Sequence, residues 1–234
     1  MDFKDQTIVV TGAGGNLGRA VAAAFAQAGA NLVLVDLQRE SLEKSYGAEN
    51  AQRLFAAANL LDQDQVAAVA AMAIERYGRI DVLCNIAGGF RMGQAVHETS
   101  DKDWNFLFDV NARSLLHAVR AVVPHMTTNG RGKIVSVAAN AALKGMAQMG
   151  AYCAAKDVVI RLTEAMAAEL RDSNINVNCV LPSIIDTPEN RAAMPDADPH
   201  RWVTPEALAD VIRFLASEDA RAIHGAALPV TGLS

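Results

Sequence analysis

A chain of 234 residues, 51% of them apolar, can bury one sizeable core, and a single domain over residues 1–234 is the expectation. The net charge of −5 comes with no run of Lys or Arg, so the sequence gives no sign of a nucleic-acid or membrane-surface partner and points to a small molecule instead. The opening MDFKDQTIVV lacks the basic, apolar and cleavage segments of a secretory leader, which predicts a cytoplasmic location. Cys84, Cys153 and Cys179 stand far apart without a Cys-x-x-Cys or Cys/His pattern. His97, His117, His125, His200 and His224 show no ligand spacing, so neither disulfides nor a metal site is expected.

In chain order, short β-branched or Leu-rich runs at 7–10, 31–35, 53–57, 82–84, 133–137, 176–181 and 227–230 predict strands. Longer stretches at 17–28, 41–46, 64–77, 101–126, 151–170 and 205–216 predict helices between them. Regular alternation of this kind predicts an α/β fold, a doubly wound parallel sheet of about seven strands with helices on both faces. The strand runs are apolar throughout, as strands buried on both faces should be. No linker or internal repeat divides the chain. Residues 183–204 contain Pro188, Pro195 and Pro199 and are too long for an ordinary connection, which predicts a lid.

The stretch Thr11-Gly12-Ala13-Gly14-Gly15-Asn16-Leu17-Gly18 lies between the first strand and the first helix. There a diphosphate can rest on backbone N–H groups at the positive end of a helix, and glycines let the backbone come close. Taken alone, glycines at a tight turn mean little. Asp36, however, closes the second strand 24 residues after Gly12, near the spacing at which a carboxylate meets the ribose hydroxyls of a dinucleotide. An Asp there repels a 2′-phosphate, so NAD(H) is expected over NADP(H), with Arg39 close enough to soften the rule. The competing reading makes Asp36 a cap for the following helix.

With Asn85-Ile86-Ala87-Gly88 after the fourth strand, Asn111 in a long helix, Tyr152-Cys153-Ala154-Ala155-Lys156, and Pro182 to Thr187, the sequence resembles the short-chain dehydrogenase/reductase family over nearly its whole length. The resemblance implies a Rossmann-type fold and hydride transfer between a nicotinamide cofactor and a carbonyl/alcohol pair. It implies Tyr152, Lys156 and Asn111 as catalytic residues. It also implies a cofactor site made of Gly12, Gly14, Gly15, Asn16, Leu17, Gly18, Asp36, Asn59, Leu60, Asn85, Ala87, Gly88, Tyr152, Lys156, Pro182, Ile185 and Thr187. A homodimer or homotetramer follows from the same resemblance, through helices 101–126 and 151–170. Asn16, Ile86 and Ser183 depart from the family pattern. Asn tolerates left-handed backbone, which would preserve the turn at Asn16. Ala139 departs more seriously, since it stands thirteen residues before Tyr152 where the family has a catalytic Ser.

Reduction of a carbonyl needs a proton donor, and a Tyr with a pKa near 10 needs activation at neutral pH. Residues four apart share a helix face, so Lys156 is expected beside the Tyr152 phenol, favouring its ionised form. By resemblance, Lys156 also binds nicotinamide-ribose hydroxyls and Asn111 supports a proton-conducting water. The missing Ser leaves three readings. The substrate is quinone- or pterin-like and needs no such donor, as in the dihydropteridine reductase branch; or Asn140, Gln148 or, least favoured by strand parity, Ser136 supplies one; or the protein binds NAD(H) as a sensor. A 3-oxoacyl-carrier-protein reductase-like activity is a further alternative. Phe90, Arg91, Met92, Met146, Met149, Met194 and Trp202 are pocket candidates, although ordinary packing explains most such residues. Arg91 is the one possible anion anchor. The lid is short, with little room for an extra helix, which favours a small carbonyl, a quinone-like ring or an acyl chain reaching in.

Overall fold

The computed structural model describes residues 1–234. Its strands are β1 (Thr7–Thr11), β2 (Asn31–Asp36), β3 (Arg53–Ala57), β4 (Val82–Asn85), β5 (Gly132–Val137), β6 (Ile175–Pro182) and β7 (Ala227–Val230). Its helices are α1 (Asn16–Gln27), α2 (Arg39–Tyr46), α3 (Gln63–Tyr77), α4 (Asp101–Phe108), α5 (Ser114–Thr128), α6 (Gly150–Glu169), α7 (Pro188–Ala193) and α8 (Pro205–Leu215). The seven strands form one parallel sheet in the order β3-β2-β1-β4-β5-β6-β7, the Rossmann-type arrangement expected.

Alternate strand residues face opposite sides of the sheet. Val9, Val33, Leu83 and Ile134 pack on one side with Ala70, Val119 and Val159 from α3, α5 and α6. Ile8, Val10, Leu34 and Val135 pack on the other with Val21, Phe25 and Ile212 from α1 and α8. Burial on both faces explains why these strands read as unbroken apolar runs rather than alternating ones. Helix ends carry their own signals. Asp62 accepts from the Asp64 and Gln65 amides to open α3, and Gly78 in the left-handed region closes it. No helix is long and apolar enough to cross a membrane.

Two sequence expectations change. The helix predicted over 101–126 is α4, a π turn at Asp109–Arg113, and α5. The cause is local: Asn111 Nδ2 donates to Leu107 O at 2.9 Å and Ser114 Oγ to Val110 O at 2.7 Å, so side chains compete for carbonyls of the helical ladder. Residues 183–204 do hold a helix, the six-residue α7, with Pro188 at its first position and Thr187 Oγ1 accepting from the Asn190 amide.

The chain runs from β1 outward to β2 and β3, then returns to place β4 on the other side of β1. At such a switch point the connections leave a crevice beyond the carboxyl ends of the strands.

Candidate active site

Thr11 and Asn85, paired in register, end β1 and β4 at that crevice. Thr11 Oγ1 accepts from the Ile86 and Ala87 amides at 3.1 and 3.2 Å and draws the loop after β4 across Gly12. Gly12 has φ +63°, and a Cβ there would lie 2.8 Å from Ala87 Cα, so no other residue fits. A Cβ at Gly18 would lie 2.2 Å from Gly12 O. Gly15 precedes α1 with no side-chain cap, so the Asn16, Leu17 and Gly18 amides have no intrahelical acceptor. Asn85 Nδ2 donates to Ser136 Oγ at 3.2 Å, while its buried Oδ1 has no partner. Free amides at a positive helix end, a glycine-lined approach and an orphaned buried acceptor fit a dinucleotide.

Asp36 closes β2 beside this loop. Its Oδ2 accepts from Gly14 N and its Oδ1 from Leu37 N, each at 2.8 Å. Gln38, not Asp36, caps α2, so the capping alternative fails. Each carboxylate oxygen keeps a lone pair for a hydroxyl donor. Asn59 and Leu60 follow β3 at the same end, Asn59 N donating to Gln65 Oε1 and Leu60 O meeting His117 Nδ1 at 2.9 Å. Asn16 does not adopt the left-handed backbone expected of it. It starts α1 in helical geometry, and its side chain donates to Glu189 Oε2 on α7 at 2.7 Å. Pro182 ends β6, Ile185 bridges to Val203, and Thr187 caps α7.

Three loop supports went unread in the sequence. Arg19 donates to Gly14 O and Asn16 Oδ1, the Tyr46 hydroxyl donates to Ala13 O at 2.7 Å, and Glu189 reaches Asn16. Their partners come from other elements or obey no motif, so no short-range signal marks them.

Tyr152 and Lys156 lie on the first two turns of α6. Burial pushes the Tyr152 phenol up to about 12. Burial also pulls Lys156 down to about 8, and its Nζ donates to Val137 O at 2.8 Å. Loss of solvent is the first cause of both shifts. The loop after β4 touches both Lys156 and Asn111, since a Cβ at Gly88 would lie 2.9 Å from Asn111 Oδ1 and 3.2 Å from Lys156 Nζ. Asn111 Nδ2 donates to Leu107 O and Gly89 O, and its Oδ1 accepts from Gly89 N. Both of its side-chain donors are thus engaged, and any part in proton relay falls to its acceptor atoms. Ala139, 5% exposed, follows β5 and brings no hydroxyl. Ser136 is fully buried on Asn85 and cannot substitute for one.

A cleft of about 190 Å³ opens beside Tyr152, lined by Arg91, Met92, Leu107, Gln148 and Met149 among others. Its size falls below the ~300 Å³ at which drug-sized pockets begin. Phe90 meets the Tyr152 ring edge-on at 4.8 Å. Met146, Met194 and Trp202 do not line the cleft; Trp202 is buried. Arg91 is no free anion anchor either. It pairs with Asp103, and its guanidinium lies 3.9 Å from the centre of the Phe106 ring.

A doubly wound parallel sheet with a glycine loop at its switch point, and Tyr152 in the wall of a small cleft, suit an oxidoreductase acting on CH–OH and C=O groups, the class that its relatives define. The chain belongs to the short chain dehydrogenase family, whose model matches residues 6–198. It is 31% identical to the 3-oxoacyl-acyl-carrier-protein reductase of Thermotoga maritima, over 99% of this chain and 98% of that one. It is 34% identical to the meso-2,3-butanediol dehydrogenase of Serratia marcescens, over 99% and 95% respectively. Among solved structures, an NAD+-bound xylitol dehydrogenase superposes with a TM-score of 0.90 at 27% identity, covering 99% of this chain and 100% of that one.

Proposed function

We propose that this protein is an NADH-dependent reductase of small carbonyl or quinone-like acceptors, folded as one domain with residues 183–204 as its lid. The observation that carries the reading is the place of Tyr152, in the wall of a small cleft and one helical turn before Lys156, beside the crevice at the sheet's switch point. A bound nicotinamide dinucleotide supplies the hydride. Tyr152 donates its proton to the acceptor oxygen, and the Phe90 ring packed on it excludes water from one side. Lys156 keeps two N–H donors after its bond to Val137 O, and these would hold the ribose hydroxyls of the dinucleotide. Asn111 is a positioning residue that fixes the Gly88–Gly89 loop. Gly12, Gly14, Gly15, Asn16, Leu17 and Gly18 hold the diphosphate and Asp36 the adenosine ribose. Asn59 and Leu60 would line the adenine end, and Asn85, Ala87, Gly88, Pro182, Ile185 and Thr187 the nicotinamide end. A homodimer or homotetramer is the assembly we expect. The test is NADH consumption with a panel of neutral diketones, quinones, pterins and a 3-oxoacyl thioester. NADH bound without turnover of any member would make the protein a binding protein.

Two expectations arise directly. NADH should bind at least about tenfold more tightly than NADPH, or ~1.4 kcal/mol, because Asp36 offers only acceptors to a 2′-phosphate. Comparable dissociation constants for the two would overturn the preference. The second expectation concerns pH. Lys156 is charged below about pH 8 and neutral above it, so kcat/KM should be level up to that point and then fall by about tenfold per pH unit. The same group makes the fold more stable as pH rises from about 8 toward 10.5, because the folded chain has already released the proton that the unfolded chain retains. A profile level to pH 10 would remove the ammonium from the mechanism.

A further inference from the structure

Gln148 has φ +61°, a left-handed backbone that strains any residue with a Cβ. Its main chain has a clear task. The Gln148 carbonyl accepts from Gly93 N at 2.9 Å and ties the segment before α6 to the loop after β4. Glycine would perform that task without strain. The side chain therefore needs another reason, and it stands in the wall of the cleft that also holds Tyr152.

Of the other polar groups lining the cleft, Thr99 Oγ1 donates to Ala95 O at 3.3 Å and Gln94 Oε1 accepts from Ser100 N at 3.4 Å. Gln94 has no positive φ, so Gln148 is the one amide there whose residue type the backbone does not explain. Outside the lining, Ala139 provides no donor, and Ser136 is held by Asn85. Arg91 and Asp103 neutralise each other, and stacking on Phe106 fixes the guanidinium in place. The cleft thus offers no uncompensated positive charge to a carboxylate or phosphate. Met92, Leu107 and Met149 make much of the remaining wall apolar.

We propose that Gln148 is the specificity-determining donor of this cleft and that it selects a small neutral substrate with two neighbouring carbonyl-type acceptors. The reacting oxygen meets Tyr152 and the second acceptor meets the Gln148 amide. This rests on the reductase reading and adds the substrate class to it. An anionic 2-oxo acid is excluded for want of a charge partner, and a simple ketone leaves the Gln148 amide unmatched.

The test compares methyl pyruvate, pyruvate and butanone as ligands of the NAD+-saturated protein, which cannot reduce them, using wild type, Gln148→Gly and Gln148→Leu. Wild type should bind methyl pyruvate about tenfold more tightly than either of the others, and both variants should lose about that factor. Gln148→Gly should melt at the same temperature or higher, since glycine suits the backbone there. Wild-type affinity in Gln148→Gly would reduce the residue to a structural role and overturn the proposal. So would tighter binding of pyruvate, or no binding of methyl pyruvate by the wild type. The expected binding pattern without NADH turnover of any acceptor would defeat the reductase reading while supporting the role of Gln148.

Discussion

Tyr152→Phe is expected to lower turnover by about 10²- to 10⁴-fold while leaving NADH affinity unchanged. In the wall of the cleft the remaining ionisable groups, Arg91 and Asp103, are paired with each other. Tyr152 is thus the only unpaired ionisable side chain in the cleft wall. Burial raises its pKa to about 12, so it carries its proton at every pH where the protein would be assayed. Donation still runs downhill to the more basic alkoxide that forms as hydride reaches a ketone carbon. Phe keeps the ring and its edge-on contact with Phe90, so the packing survives and only the O–H is lost. The measurements are kcat on the best acceptor of the panel and the NADH dissociation constant by fluorescence. Unchanged turnover would show that the proton comes from elsewhere.

Ala139→Ser is the second large effect expected, and it is a gain. Ala139 is buried two residues after β5, at the position to which the family resemblance assigns a catalytic Ser. A new O–H aimed at a carbonyl oxygen contributes about 1 to 3 kcal/mol to the transition state, or roughly 5- to 150-fold in rate. On a simple ketone, kcat/KM should rise by that order. A quinone-like acceptor that does not use this donor should gain nothing. It should bind less well wherever the added hydroxyl loses water without finding a partner. The experiment is kcat/KM for both proteins on both acceptors with NADH saturating. A ketone rate that fails to rise would mean that position 139 lies outside reach of the reacting oxygen.

Much of this was readable from local pattern. Strands such as 31–35 could be placed because burial on two faces demands an unbroken apolar run. The glycine loop could be placed because backbone must pass within contact distance of Ala87 and of any diphosphate. The place of Asp36 at a strand end and the shared helix face of Tyr152 and Lys156 follow from spacing, whereas the roles proposed for them rest on the family resemblance. The helix over 101–126 was read as continuous because its apolar periodicity runs straight through the break. What interrupts it is the Asn111 side chain taking the Leu107 carbonyl, a competition that periodicity does not register.

The sequence by itself determined the order of elements, the doubly wound sheet and the residue types gathered at its carboxyl edge, since period and turn chemistry are properties of neighbouring residues. The tertiary structure decided the charge states and the partners. The Tyr152 and Lys156 pKa values are set by how far the surrounding elements exclude water. Arg91 is neutralised by Asp103, a residue twelve positions on. Asn16 meets Glu189, 173 positions away. Gln148 is held left-handed by an amide from the loop after β4. Desolvation and pairing depend on what the fold brings close, and residues far apart in the chain carry no local record of it.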